Sequence, residues 1–382
     1  MKRILTILLA LGLALAAQHA QADWTSTKRL TWTSGDSYSP ATAVDSSNAV
    51  HVVWADYSPG NSEIYHKRSE DGGTTWGTAK RLTWTSGDSY EPAIAIDSSD
   101  TLHVVWDSDS SGNYEIYYKR SSDGGLNWSA AKGLTGTSGW SEYPAITIDS
   151  NNVIHVVWQD DTPGNLEIYY RRSSDGGLNW STAQRLTWTS GSSEYPAIAI
   201  SSIHTIQVVW KDRTPGNYEI YYKQSTNGGT TWGPAKKLIS TSGESHDPAI
   251  AIDSSNAIQV VWSDETPGNY EIYYKRSPDG GTTWGPLQRL TWTAGMSEYS
   301  AIAIGSDNII HVIWDDDTPG NFEIYHKKST DGGATWSAAQ RLTWTAGSSL
   351  VAALAMDSSN SAHIVWEDNT YGNSEIFYKT GK

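Results

Sequence analysis

Residues 92–135 read PAIAIDSSDTLHVVWDSDSSGNYEIYYKRSSDGGLNWSAAKGLT. Four short segments in this stretch, 92–97, 101–106, 115–121 and 128–135, are rich in Val, Ile, Tyr, Trp and Thr. Segments of that length and composition, bounded by Asp, Ser, Gly and Asn, are strand signals. Asp97-Ser98-Ser99-Asp100 forms one polar hairpin turn and Ser111-Gly112-Asn113 a second. Nothing in the stretch has the 3.6-residue period of a helix.

The same stretch recurs along the chain. Trp54, Trp106, Trp158, Trp210, Trp262, Trp314 and Trp366 are each 52 residues apart, and Gly60-Asn61 to Gly372-Asn373 and Glu63 to Glu375 keep the same spacing. Seven units of four strands predict propeller blades or an open solenoid. The two ends decide between them. The last unit stops at Lys382 after its third strand, whereas Trp24 to Trp32 is a fourth strand with no first three before it. Pairing the two completes the seventh unit and removes the sheet edges a solenoid would have to cap. The expected fold is therefore all-β: a seven-bladed β-propeller over residues 23–382, its last blade closed by the N-terminal strand. Pro40, Pro92, Pro144, Pro196 and Pro248 are expected at strand starts, where a missing N–H is tolerated.

Lys2 and Arg3, an apolar run from Ile4 to Ala17, and Ala20-Gln21-Ala22 make residues 1–22 a secretory signal peptide, cleaved after Ala22. The expected location is secreted or periplasmic. The chain has no cysteine, so the fold must hold by packing alone. With the leader removed, 25 basic and 42 acidic residues give a net charge of −17. Such a surface argues against nucleic acid and anionic membranes as partners. There are 20 Trp and 21 Tyr but two Phe; rings with an apolar body and a polar tip suit half-buried strands and sugar stacking alike.

Residues 69–76 read SEDGGTTW, and the pattern returns at 121–128, 173–180, 225–232, 277–284 and 329–336. Its carboxylate can accept turn N–H groups while Gly-Gly permits positive φ. Asp71, Asp123, Asp175, Asp279 and Asp331 hold this place, with Asn227 in the fourth copy. The motif resembles the Asp-box of the sialidase and BNR-repeat superfamily of propellers, and the resemblance spans the mature chain. It implies a structural turn on the perimeter, away from the ligand face. It also raises sialidase chemistry: three arginines gripping a carboxylate, a Tyr–Glu nucleophile pair and an Asp acid/base on six blades. This chain has seven units and no R-I-P motif. Arg29, Arg81, Arg185, Arg289 and Arg341 occupy one repeat slot and Arg68, Arg120, Arg172 and Arg276 another; only Arg213 is unusual and near the ligand face.

Units differ most just before the first strand. The pairs there are Tyr38-Ser39, Tyr90-Glu91, Glu142-Tyr143, Glu194-Tyr195, His246-Asp247, Glu298-Tyr299 and Leu350-Val351. Tyrosine with a carboxylate suits sugar binding, and these loop residues are the candidate ligand site. No catalytic set, metal site or cofactor is expected. Asp56 and Glu63 with their repeats are expected to brace the Gly-Asn hairpin and pair with lysines. Trp32, Trp84, Trp188, Trp292 and Trp344 are expected to pack, with Trp140 filling the gap at Gly136. The column His51, His103, His155, His311 and His363 is expected to be hydrogen-bonded inside the sheet. The favoured function is a secreted, monomeric, non-catalytic propeller that binds glycan or a cell-surface protein through its loop face. A sialidase-like exo-glycosidase and a structural envelope scaffold are the alternatives.

Overall fold

The computed structural model describes residues 24–214, 216–266 and 268–382; the leader expected at 1–22 lies outside them. Seven four-stranded antiparallel sheets follow one another, each ordered first to fourth strand. In the second blade the strands are Ser89–Ile96, Leu102–Ser108, Glu115–Ser121 and Lys132–Gly133. No helix occurs among the described residues.

The ring closes as expected. Lys28–Arg29 pairs with Glu375–Gly381 in antiparallel register, Lys28 opposite Tyr378 and Arg29 opposite Phe377. Leu30 N donates to Ile376 O at 2.7 Å, and Trp24 bridges to Gly381. Across this junction Leu30, Ile376 and Tyr378 pack against Val50, Val52 and Trp54 of the first blade. Every other junction repeats the arrangement; Val105, Ile116, Tyr118 and Leu134 meet Ile154, Val156 and Trp158 of the next blade. The core thus lies between blades. Burial of each Val, Ile or Leu there contributes roughly 1.5–3 kcal/mol.

Two boundaries differ from expectation. First strands begin three residues earlier, and their prolines sit inside them. In the second blade the register slips between Tyr90 and Ala93, a β-bulge that leaves Pro92 without a ladder bond to make. Fourth strands are only two residues long; Tyr117 and Tyr118 pair with Gly133 and Lys132 and the ladder ends. A short outer strand blunts the one edge each blade exposes.

Asp-boxes are turns, as the motif implies. Asp71 accepts from Thr75 N at 2.7 Å and from Ser69 Oγ at 2.8 Å. These bonds, with Thr75 first, hold its pKa down at about 2. Asn227 reproduces the turn through Oδ1, accepting from Thr231 N at 2.9 Å. Gly73, at φ 88°, lies so close to the neighbouring blade that a Cβ would sit 1.9 Å from the Tyr378 hydroxyl.

At the opposite end of each blade, Glu63 has no exposed side-chain surface. Its Oε1 accepts from Asn61 Nδ2 at 3.1 Å, Thr85 N at 2.7 Å and Arg81 Nη2 at 2.7 Å. The hairpin is braced as expected, but the cation is arginine. Arg29, Arg81, Arg185, Arg289 and Arg341 all serve, and among the described residues lysine does so only at Lys237–Glu219. The fork explains the choice, since Arg81 Nε also reaches Thr83 O at 2.6 Å. Asp56 caps the neighbouring turn, taking Ser37 Oγ at 2.8 Å and Ser58 N at 2.9 Å.

Candidate functional site at the channel mouth

The first strands line a central channel of about 420 Å³. The variable pairs expected in loops are part of these strands, within the bulge, and the pleat splits each pair. Ser39, Glu91, Tyr143, Tyr195, Asp247, Tyr299 and Val351 face the channel. All seven adopt left-handed backbone, with φ between 46° and 53°. A non-glycine residue there costs of order 1–3 kcal/mol, and such strain gathers at functional sites. The bulge is the cause: an extra residue in the inner strand rotates one side chain from each blade toward the axis.

The first member of each pair turns away from the channel and packs at its rim. Tyr38 donates to Ser62 Oγ at 2.7 Å, and Tyr90 lies 5.9 Å from Tyr38 ring to ring. Glu142 accepts from Gln159 Nε2 at 3.4 Å and Glu194 from the Tyr218 hydroxyl at 2.6 Å. His246 lies between Tyr218 and Tyr270, at 5.3 and 5.6 Å. Glu298 is partly buried and held above its usual pKa, by burial first and then by Asp247. The candidate site therefore has two layers.

A third set completes it, and the sequence reading missed it. The residue after the second-strand tryptophan is Ala55, Asp107, Gln159, Lys211, Ser263, Asp315 or Glu367. Four of these accept the strained amide of the next blade: Asp107 from Tyr143 N at 3.0 Å, Gln159 from Tyr195 N at 3.0 Å, Asp315 from Val351 N at 2.8 Å and Glu367 from Ser39 N at 3.1 Å. The signal was present: this position varies in an otherwise near-constant strand.

The channel wall is acidic. Burial pushes Asp107 and Asp315 well above the usual carboxylate range. Glu91 and Asp247 are raised for the same reason, Asp247 being partly offset by Lys211 and His246. Glu367 is pushed up to about 7, by burial first and then by the charges of Glu91 and Asp36. Burial also raises Tyr143 and Tyr195, which stay phenols at neutral pH; their rings lie 4.4 Å apart.

One sector is denser than the rest. Lys211, 6 % exposed, stands 4.2 Å from the Tyr195 ring centre and 4.6 Å from that of Tyr218. Its Nζ is 3.5 Å from Glu194 Oε2 and 3.0 Å from His246 Nδ1. Arg213, singled out in the sequence, also lies over Tyr218, at 5.4 Å from its ring centre. It is a single guanidinium. The arginines of the two repeat slots are committed elsewhere: Arg81 to Glu63, and Arg120 to Gly176 O at 2.6 Å beside the Asp-box of the next blade.

The remaining candidates fall outside the channel. The histidines are bonded within the sheet, His103 to the Tyr118 hydroxyl at 2.7 Å and to Asp97 at 3.3 Å. No cluster of three metal-ligating side chains occurs among the described residues. Trp140 is half exposed, edge-on to Tyr114 at 5.8 Å, and does not fill the space at Gly136. The strand-end tryptophans are not packed, contrary to expectation: Trp32, Trp84, Trp188, Trp292 and Trp344 are 66–69 % exposed. With fourth strands only two residues long, these rings lie beyond the inter-blade core.

Residues 63–312 match the family described as BNR repeat-like domain. No curated protein matches the chain. Among solved structures, a Dyadobacter fermentans protein of unknown function is 13 % identical, with a TM-score of 0.60 over 94 % of this chain and 99 % of its own. An ulvan lyase, a polysaccharide lyase, is 10 % identical, with a TM-score of 0.68 over 92 % and 95 %. A Hadza microbial sialidase is 16 % identical, with a TM-score of 0.57 over 84 % and 73 %. At these identities the likeness is one of fold.

Proposed function

The chain belongs to the BNR repeat-like domain family, and from that premise we propose that it is an exported, non-catalytic propeller binding a neutral glycan at its channel mouth. The ring of seven bulge residues carries this reading. One architectural position, strained identically in every blade, is filled by Ser, Glu, Tyr, Tyr, Asp, Tyr and Val. Variety at a costly, equivalent position is what a recognition surface requires and a purely structural one does not. The tyrosines offer faces for a sugar ring. Glu91 and Asp247 offer acceptors for its hydroxyls, and about 420 Å³ accommodates a small saccharide.

Charge selects against acidic sugars. No arginine or lysine lines the channel among the described residues, whereas gripping a carboxylate favours bidentate guanidinium. Two like charges 4 Å apart repel by about 4 kcal/mol at an effective dielectric of 20. Calorimetric titration of the purified protein with neutral oligosaccharides should show binding that Tyr195→Ala weakens at least tenfold. No heat from any of them would discard the glycan in favour of a cell-surface protein partner. Export rests on the leader at 1–22 and is checked by locating the protein after expression in a host with and without those residues.

A second reading, a glycoside-processing enzyme, draws on one observation: Glu367 holds a pKa of about 7, raised by burial and by the charges of Glu91 and Asp36, the range suited to general acid–base work. Its support is turnover of a fluorogenic sialoside or a polyuronate that Glu367→Gln abolishes. Absence of turnover on both leaves the binding reading.

A further inference from the structure

The five exposed tryptophans lie at the same end of the blades as the channel mouth, on the outer rim. Trp84, Trp188 and Trp344 stand in grooves between two blades. Around Trp84 the groove is lined by Thr85, Ser110, Tyr117 and Lys119 and holds about 230 Å³; around Trp188 it is lined by Thr189, Thr214, Tyr221 and Lys223 and holds about 240 Å³. Every indole is held the same way. A guanidinium of its own blade and an ammonium of the next stand 5.5–5.7 Å from its centre, as Arg81 and Lys119 do for Trp84. The guanidinium is itself fixed by the buried Glu63 of the hairpin. The ring is thus oriented while two-thirds of its surface stays in water.

The fold does not need this group. In the second and fourth blades Gly136 and Ser240 replace the tryptophan, and Gly133 and Lys237 replace the arginine. Indole and guanidinium are lost together, yet Gly133 still pairs with Tyr117 and Lys237 with Tyr221 in the common register. A large apolar ring kept exposed, and kept together with its support, serves something outside the chain.

We propose that these grooves form a second binding surface, separate from the channel, on which one neutral polysaccharide chain or several short branches stack against the indoles. The lining is that of a sugar subsite: one open aromatic face, threonine and serine hydroxyls, and an ammonium with donors to spare. Lys67 and Lys223 use one bond each, to Leu30 O and Leu186 O, both at 2.6 Å, and no carboxylate pairs with either among the described residues. The acidic loop residues of this face, Asp36, Asp88 and Asp161 among them, disfavour polyanions. Five weak, identical contacts on one rigid ring gain by avidity.

The test is native affinity electrophoresis of the whole protein in gels containing xyloglucan, mixed-linkage β-glucan or galactomannan, with polygalacturonate as the acidic comparison. One, three and five Trp→Ala substitutions are compared, each variant checked by thermal melting, with Trp→Tyr at the same positions as the conservative set. At least one neutral polymer should retard the parent. One substitution should weaken retention roughly two- to fivefold, and five should weaken it at least fiftyfold. The tyrosine set should retain most of it. Retardation by none of the neutral polymers, equal retardation by polygalacturonate, or parental retention in the folded five-alanine variant would each overturn the proposal.

Discussion

Deleting residues 24–33 removes the strand that closes the ring, and its cost can be worked from the contacts it makes. Leu30 is 1 % exposed, and loss of its burial costs roughly 1.5–3 kcal/mol. Glu375, with no exposed side-chain surface, loses Arg29 at 2.7 Å and Thr33 N at 2.9 Å. A buried charge left without its partner costs about 3–5 kcal/mol. Leu30 N to Ile376 O and Ile376 N to Thr31 Oγ1 are also lost, at about 1 kcal/mol each. Together these come to roughly 8 kcal/mol. With an unfolding entropy of about 2.1 cal/mol/K per residue over some 360 residues, the midpoint should fall by about 10 °C. Scanning calorimetry measures it directly. Re-attaching the same ten residues after Lys382 through a copy of the Asp-box turn should restore most of the loss, because the strand needs its place in the sheet and not its place in the sequence. A deletion variant melting within about 2 °C of the parent would refute this account of closure.

Three further outcomes are expected. Glu367 has its folded pKa raised from 4.5 to about 7, so the stability it contributes is present below pH 4.5 and lost as pH rises through 7. Glu367→Gln should therefore stabilise by up to ~3 kcal/mol at pH 8.5 and by nothing at pH 4, read as paired urea titrations. Gly73→Ala should destabilise more than Gly60→Ala, by at least ~2 kcal/mol, because only the first drives a Cβ into Tyr378; equal losses would show that backbone conformation alone sets the cost. Val351 is β-branched at φ 50°, and Val351→Asn should raise stability by about 1 kcal/mol in chemical denaturation.

The ring was legible because its signals are local and repeated. The 52-residue spacing, the Asp-box turns and the complementary ends each point to blades without reference to the rest of the chain. What failed depended on neighbours. Pro92 looked like a strand start because a proline cannot join a ladder, but a bulge supplies the same excuse three residues inside. Trp84 looked packed because it follows Leu82, which is packed; the fourth strand stops too early to carry the ring inward. Glu63 was expected to meet lysine, and only the path of the chain shows Arg81 reaching it and Thr83 at once. Within the candidate site the variable pairs were found by their variability. Which of each pair faces the channel was not, because the bulge reverses the alternation on which such reasoning rests. The third layer, from Ala55 to Glu367, carried the same kind of signal inside a strand whose other residues all read as core.

Trp24 bridges to Gly381 at the Asp-box end of the last blade, so both ends of the described chain leave the ring on the side away from the channel. Anything fused ahead of Trp24 or behind Lys382, whether an affinity tag, a cell-wall tether or a surface chemistry on a sensor chip, would hang beneath the disc. Immobilised by either terminus, the molecule would lie with its mouth and its tryptophan rim turned outward, and two such discs joined tail to tail would display the same face in opposite directions.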